Sequence, residues 1–266
     1  MGPQTLRPVK VRFRPAPPGT GIVANGVLAR IENAVVHRHT TCIGRGGHQV
    51  RMVEHLLASC HALGITDLRI ETDGSELPLG DGSALSYLRT LRRAGIIRFG
   101  TKLPPVVLRK PLLVQHGRRF IAAIPSPRLR INCLVEFAGI APQFHTFGLA
   151  ANRFEQELAP ARTAFCIPRT SHPAPRTPHC ALRNSLRLRF GLQRVNRFVF
   201  AARPRFRNEL CRHKIIDLLG DLWLLGGPIR AEIFAFRPGH RLNLAFVRQV
   251  QNDEVSRVNF TSWEVG

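Results

Sequence analysis

The sequence predicts an α+β chain built as two similar α/β halves, and three observations predict it. First, strands recur in both halves, with period-two alternation in VKVRFRP (9–15) and TDLRIET (66–72) and the strand IRAEIFAF (229–236) in the second half, the pattern of half-buried sheets. Second, two helical stretches, HQVRMVEHLLASCHALG (48–64) and 209–225, are apolar on almost every side yet carry embedded imidazoles and carboxylates. Third, each half closes in the same order of helix, strand, glycine-containing loop and helix. That shared order predicts an internal duplication of about 100–150 residues per copy.

The elements follow in chain order. VKVRFRP is a strand and PAPPGTG (15–21) a turn, after which GVLARIENAVV and the residues up to Cys42 are strand-like. The helix over 48–64 stops at Gly64, whose lack of a Cβ suits a C-terminal cap. TDLRIET then ends at Asp73-Gly74, and after LPLGDGS a second helix runs over ALSYLRTLRRAG (84–95), with Ser83 as its N-cap and Gly95 as its stop. TKLPP (101–105) is a linker, so the expected domains are 1–100 and 106–266. Strands VVLRKPLLVQ, RRFIAAIP and RLRINCLVEF follow, then a short helix AANRFEQEL leading to APARTAF (159–165). The apolar helix 209–225, the strand IRAEIFAF, the loop RPGH and a final helix RLNLAFVRQVQ complete the second half.

Composition narrows the function classes. The formal charge of +22 invites a nucleic-acid reading, but only Lys10, Lys102, Lys110 and Lys214 are lysines and the other 35 basic residues are arginine. Such a skew is equally the mark of a GC-rich gene, and the aromatics do not interleave with arginine as a single-strand stacking surface requires. Attraction to anionic substrates or lipid headgroups stays open. Six scattered cysteines without a CxxC pair fit a reducing cytoplasm. No run of about 18 uncharged apolar residues forms a membrane span, and the N-terminus has no signal-peptide core.

The chemistry concentrates in RHKIIDLLGDLWLL (212–225), where His213, Asp217 and Asp221 stand four residues apart and therefore on one helical stripe. Ile215, Ile216, Leu218, Leu219, Leu222 and Trp223 surround them, so the helix is buried and its carboxylates need a partner or a metal. The matching helix of the first half carries Glu54 and His55. If the halves face each other, His55 completes a His–His–Asp set, which suits catalytic zinc with one position left open. Glu54 is then placed to take a proton from water, and His240 in the Pro-Gly-His loop to protonate a leaving group. A helical His-x-x-x-Asp is also a common structural pair, Asp221 also suits a hydrogen-bond network, and His240 an exposed loop.

MVEHLLASCHALGITDLRIETDGSELPLGDGSALSYLRTLRRAGI resembles the first-domain signature of the UDP-3-O-acyl-N-acetylglucosamine deacetylases, zinc enzymes of lipid A synthesis. APARTAF, RHKIIDLLGDL and RPGHRLNLAFV are similar to that family's further motifs, in the same order, and the resemblance covers roughly residues 10–167 and 207–250. It implies two similar domains, each a β-sheet with two helices, with the helices sandwiched between the sheets. It implies Zn²⁺ held by His55, His213 and Asp217, with Glu54 as general base and His240 as acid. It further implies Thr163 at the attacked carbonyl oxygen, Asp221 orienting His240, and Lys214 and Phe165 contacting a UDP-linked acylated glucosamine. A cytoplasmic monomer with transient membrane-surface contact and no nucleic-acid partner is expected.

The sequence departs from the family in three places. The N-terminus is too short for the family's opening strand and glycine-histidine loop, and Ala164 intervenes before Phe165. Residues 168–207 hold ten arginines, five prolines and no Asp or Glu, where the family carries a β-α-β insert lining the acyl passage. Out-of-frame text from a GC-rich gene reads this way, and prolines at 168, 173, 175 and 178 oppose regular structure there; RFVFAA alone suits a strand. The expectation is a poorly packed excursion beside an intact core. The alternatives are an inactive or impaired homologue with the same fold and an arginine-rich nucleic-acid-binding protein.

Overall fold

The fold is that of a computed structural model describing residues 8–44, 48–100, 103–137, 139–163, 165–166, 193–195, 198–200 and 203–253. The first-half sheet has the order β1-β7-β2-β3, from β1 (Val11–Arg14), β2 (Ile22–Ala24), β3 (Val27–Leu28) and β7 (Leu68–Thr72). A small sheet of β4 (Ala34–His37), β5 (Thr40–Ile43) and β6 (Val50–Arg51) lies between β3 and the first helix. The second half is built on a six-stranded sheet, β12-β11-β16-β10-β9, with β8 (Val106–Val107) also paired to β16. Its long strands are β9 (Leu112–His116), β10 (Arg119–Pro125), β11 (Arg130–Phe137), β12 (Ile140–Gly148) and β16 (Ile229–Phe236). A third small sheet pairs β13 (Phe165–Cys166), β15 (Phe198–Phe200) and β14 (Gln193–Val195).

The repeated element order of the sequence returns as repeated topology. β7 pairs antiparallel with β1 and parallel with β2, and β2 continues antiparallel to β3. β16 likewise pairs antiparallel with β10 and parallel with β11, and β11 continues antiparallel to β12. Each central strand is preceded by an almost wholly buried helix, α1 (Glu54–Leu63) before β7 and α4 (Glu209–Leu222) before β16. Each is followed by an amphipathic helix, α2 (Leu85–Ala94) or α5 (His240–Asn252). One continuous core runs through both halves, with α1 and α4 packed together inside it and the sheets outside. Burial on both sides explains why those two helices lack a polar face.

Local details differ from the sequence expectation in instructive ways. Residues 48–53 are not helical: β6 is a strand, and Met52 then adopts φ 62°, breaking the run before α1 begins at Glu54. The reason is long-range, because the Thr41 carbonyl accepts the N–H groups of Met52 and Val53 from across the small sheet. Gly64 does cap α1 in the left-handed conformation at φ 67°. The expected helix over 150–158 is one turn, α3 (Ala151–Arg153), running into a wider π-turn at Phe154–Leu158. Within 168–207, RFVFAA contributes β15; the N-terminal residues 1–7, Ala164 and most of the arginine-rich stretch lie outside the described residues.

Candidate active site

The crossing of α1 and α4 brings the predicted residues together. Gly220 is the contact point: a Cβ there would lie 2.1 Å from the Glu54 carbonyl oxygen, so only a glycine lets the two backbones come so close. Glu54 and His55, in the first turn of α1, thereby face the stripe of α4. His213 Nε2 lies 3.4 Å and His55 Nε2 3.7 Å from Asp217 Oδ1, and the two imidazoles meet edge to face with centroids 4.9 Å apart.

One donor atom from each of His55, His213 and Asp217 lies within 4.8 Å of the others, and among the described residues no other three such side chains meet this closely. Tetrahedral zinc with bonds of about 2.0–2.1 Å needs donor–donor edges of about 3.4 Å, close to these spacings. The His213 Nδ1–H donates to the Ala161 carbonyl at 3.2 Å, which leaves Nε2 as the free lone pair. Burial pushes the His213 pKa down to about 3, so its imidazole is neutral at pH 7. Burial alone would raise the Asp217 carboxyl, but Lys214, His213 and His240 outweigh it and hold it well below its ordinary range. The donor set therefore fits a divalent cation.

A second layer surrounds Glu54 and His240. His240 Nδ1–H donates to Asp221 Oδ2 at 2.9 Å, and Asn243 Nδ2 donates to the same oxygen at 2.9 Å. Thr41 Oγ1 donates to Asp221 Oδ1 at 2.5 Å, and the Thr41 N–H donates to Glu54 Oε2 at 3.2 Å. His240 Nε2 is left facing Glu54 Oε1 at 3.8 Å and Asp217 Oδ2 at 3.9 Å. Desolvation opposes a charge on His240, yet Asp221 and Asp217 reverse it and raise the pKa to about 9. Burial raises the Glu54 carboxyl as well, only partly offset by His240 and His55. A carboxyl and an imidazole thus stand side by side next to the candidate metal set, and His240 is a buried first-turn residue of α5 rather than an exposed loop histidine.

Other expected residues sit at the margin. Lys214 Nζ is engaged 2.6 Å from Asp217 Oδ2, bracing a candidate ligand. Thr163, half-buried, follows Ala161 by two residues and donates its N–H to the Gly82 carbonyl at 2.8 Å. Phe165 opens β13.

Sequence reasoning missed Thr41, Asn243 and a buried ion pair between Arg162 and Glu209 at 2.9 Å. Glu209 also accepts the Arg162 backbone N–H and bonds to the Arg205 N–H, tying the loop that carries Ala161 and Thr163 to the first turn of α4. The signal for Glu209 was available, since it stands four residues before His213 on the same stripe.

The sequence profile of UDP-3-O-acyl N-acetylglycosamine deacetylases matches residues 1–252. The chain belongs to this deacetylase family. A UDP-3-O-acyl-N-acetylglucosamine deacetylase of Aquifex aeolicus is 34% identical over 249 residues, covering 91% of this chain and 85% of the relative. The enzyme of the same name from Myxococcus xanthus is 33% identical over 255 residues, covering 92% and 80% respectively. That from Chlamydia pneumoniae is 30% identical over 258 residues, covering 90% and 88%. Family membership extends across both halves, and so across both sources of the clustered side chains.

Proposed function

We propose that this chain is a zinc-dependent amidohydrolase that removes the N-acetyl group of UDP-3-O-acyl-N-acetylglucosamine, releasing acetate, in lipid A biosynthesis. The observation that carries this reading is the buried meeting of Glu54 and His55 with His213, Asp217 and His240 in a chain of the deacetylase family. In this reading residues 1–100 and 106–266 act as two domains that each supply part of the site.

His55, His213 and Asp217 would hold the zinc. When bound, zinc supplies Lewis acidity, lowering the pKa of water toward about 7 and polarising a carbonyl. Glu54 accepts the proton that the attacking water loses as its oxygen bonds to the acetyl carbon. The Thr163 hydroxyl donates to the carbonyl oxygen as that oxygen gains negative charge. His240 passes its Nε2 proton to the amide nitrogen as the C–N bond breaks, so the amine leaves neutral. Asp221, itself held by Thr41 and Asn243, orients His240 and balances its charge. Lys214 and Phe165 contact the UDP-linked acylated glucosamine. The reading also places the protein in the cytoplasm as a monomer in transient contact with membrane surfaces.

The test is acetate release from UDP-3-O-acyl-N-acetylglucosamine by the purified chain, with metal content measured on the same sample. Stoichiometric zinc without acetate release would make the chain an inactive homologue.

A further inference from the structure

The two halves repeat one sheet topology but present opposite outer faces to solvent. On the first sheet β1 and β7 turn Arg12, Arg14, Arg69 and Glu71 outward, joined by ion pairs from both Arg12 and Arg14 to Glu71. On the second sheet the inward rows are closed, as in the row Leu112, Ala123, Ile233, Ile131 and Phe147, every member of which is buried. The outward rows are where polar residues belong on a sheet packed on one side. One of them instead runs Gln115, Phe120, Phe236, Leu134 and Phe144 across five strands. The next carries Leu113 and Phe234, and the one beyond it Ile124. Leu113 is 60% exposed, Phe144 57%, Ile124 41% and Phe234 40%.

An apolar expanse of this kind on a solvent face marks an interaction surface, and its charges indicate the partner. Arg118 lies in the β9–β10 turn beside the outward row of Phe120, Arg128 lies at the β10–β11 turn, and Arg130 stands on the face itself, all exposed. Glu232 on the same face is occupied by the Asn132 amide at 3.0 Å. A second copy of a chain of formal charge +22 would meet this arginine rim with like charge. A bilayer with anionic headgroups complements both parts, its phosphates meeting the arginines and its acyl boundary the phenylalanines.

We infer that the outer face of the β12-β11-β16-β10-β9 sheet is a docking surface for anionic lipid bilayers. The inference deepens the membrane contact of the proposed function and rests on that reading; binding is read without substrate, so its failure leaves the deacetylase reading standing.

The full chain is sedimented with vesicles of phosphatidylcholine alone and with added phosphatidylglycerol. Binding to the phosphatidylglycerol vesicles is expected, and a folded Phe144→Ser/Phe234→Ser variant should bind them roughly tenfold more weakly or less. Acetate release from a water-soluble short-chain substrate should be unchanged in that variant. Undiminished binding by the variant overturns the inference, because adsorption is then charge alone. A concentration-dependent dimer that the variant abolishes also overturns it, since the face then self-associates. Should the double variant fail to fold, Phe144→Trp with brominated lipids gives an independent reading: quenching supports insertion of this face, and its absence refutes it.

Discussion

Gly220→Ala isolates the helix crossing on which the candidate site depends. The added methyl would stand 2.1 Å from the Glu54 oxygen, 2.7 Å from its carbonyl carbon and 2.9 Å from its Cα, all of them backbone atoms. Ordinary contact begins at about 3.5 Å, so α1 and α4 must part by roughly 1 Å. Overpacking of this kind costs about 1–3 kcal/mol. The better helix propensity of alanine returns about 1 kcal/mol, which leaves a net loss of up to about 2 kcal/mol. The same displacement carries Glu54 and His55 away from His213 and Asp217. A misplacement of about 1 Å costs on the order of 100-fold in rate. Urea unfolding, acetate release and zinc content are measured together, with Gly100→Ala as the control because a Cβ there meets nothing within 4 Å. A Gly220→Ala protein with parental stability and turnover would refute the close-crossing account.

Three further outcomes are expected. His55→Ala and His213→Ala should each lose stoichiometric zinc by elemental analysis, whereas Glu54→Gln should keep the metal and lose about 100- to 10,000-fold in turnover; full occupancy in both histidine variants would rule out the ligand set. The kcat/KM profile should be bell-shaped, with activity lost as pH falls through the raised Glu54 pKa, since the base must be ionised, and lost again as pH rises through about 9, where His240 gives up its proton. Asp221→Asn should move that alkaline limb to lower pH, and an unmoved limb would assign it to another group. Glu209→Gln strips the carboxylate from a buried Arg162 and should destabilise the protein by about 3–5 kcal/mol in urea unfolding; a change below about 1 kcal/mol would mean that Arg162 finds another partner.

What the sequence made legible was whatever depends on local spacing. The stripe of α4 and the repeated helix–strand–helix order were readable because period and order are properties of short stretches. The start of α1 was not, since it is set by the Thr41 carbonyl across the small sheet, and apolar periodicity simply ran on through Met52 and Val53. Thr41 itself carries no sequence signal: a threonine in a strand becomes a hub only once Glu54, Asp221 and His240 have been folded onto it. Asn243 was more accessible, as a polar residue on the buried side of α5. The outward phenylalanines were hidden for a different reason. IRAEIFAF alternates so mildly that its apolar outer positions read as an ordinary strand, and only the register with β10 and β11 aligns them.

The division of the candidate site between α1 and α4 also bears on how the chain is made. α1 ends at Leu63 and α4 begins at Glu209, about 145 residues later. At 5–20 residues per second, the ribosome needs roughly 7–30 s to cover that distance. β1, β7, β2 and β3 have all emerged by then, so the first sheet can close early while the far side of α1 waits for its helical partner. During that interval the Glu54 backbone, which meets Gly220 in the finished protein, and His61, which bonds to the Leu219 carbonyl and stacks on Trp223, have nothing yet to cover them. The nascent first half is therefore the form most exposed to aggregation, and the arrival of α4 ends that exposure in the same step that assembles the site.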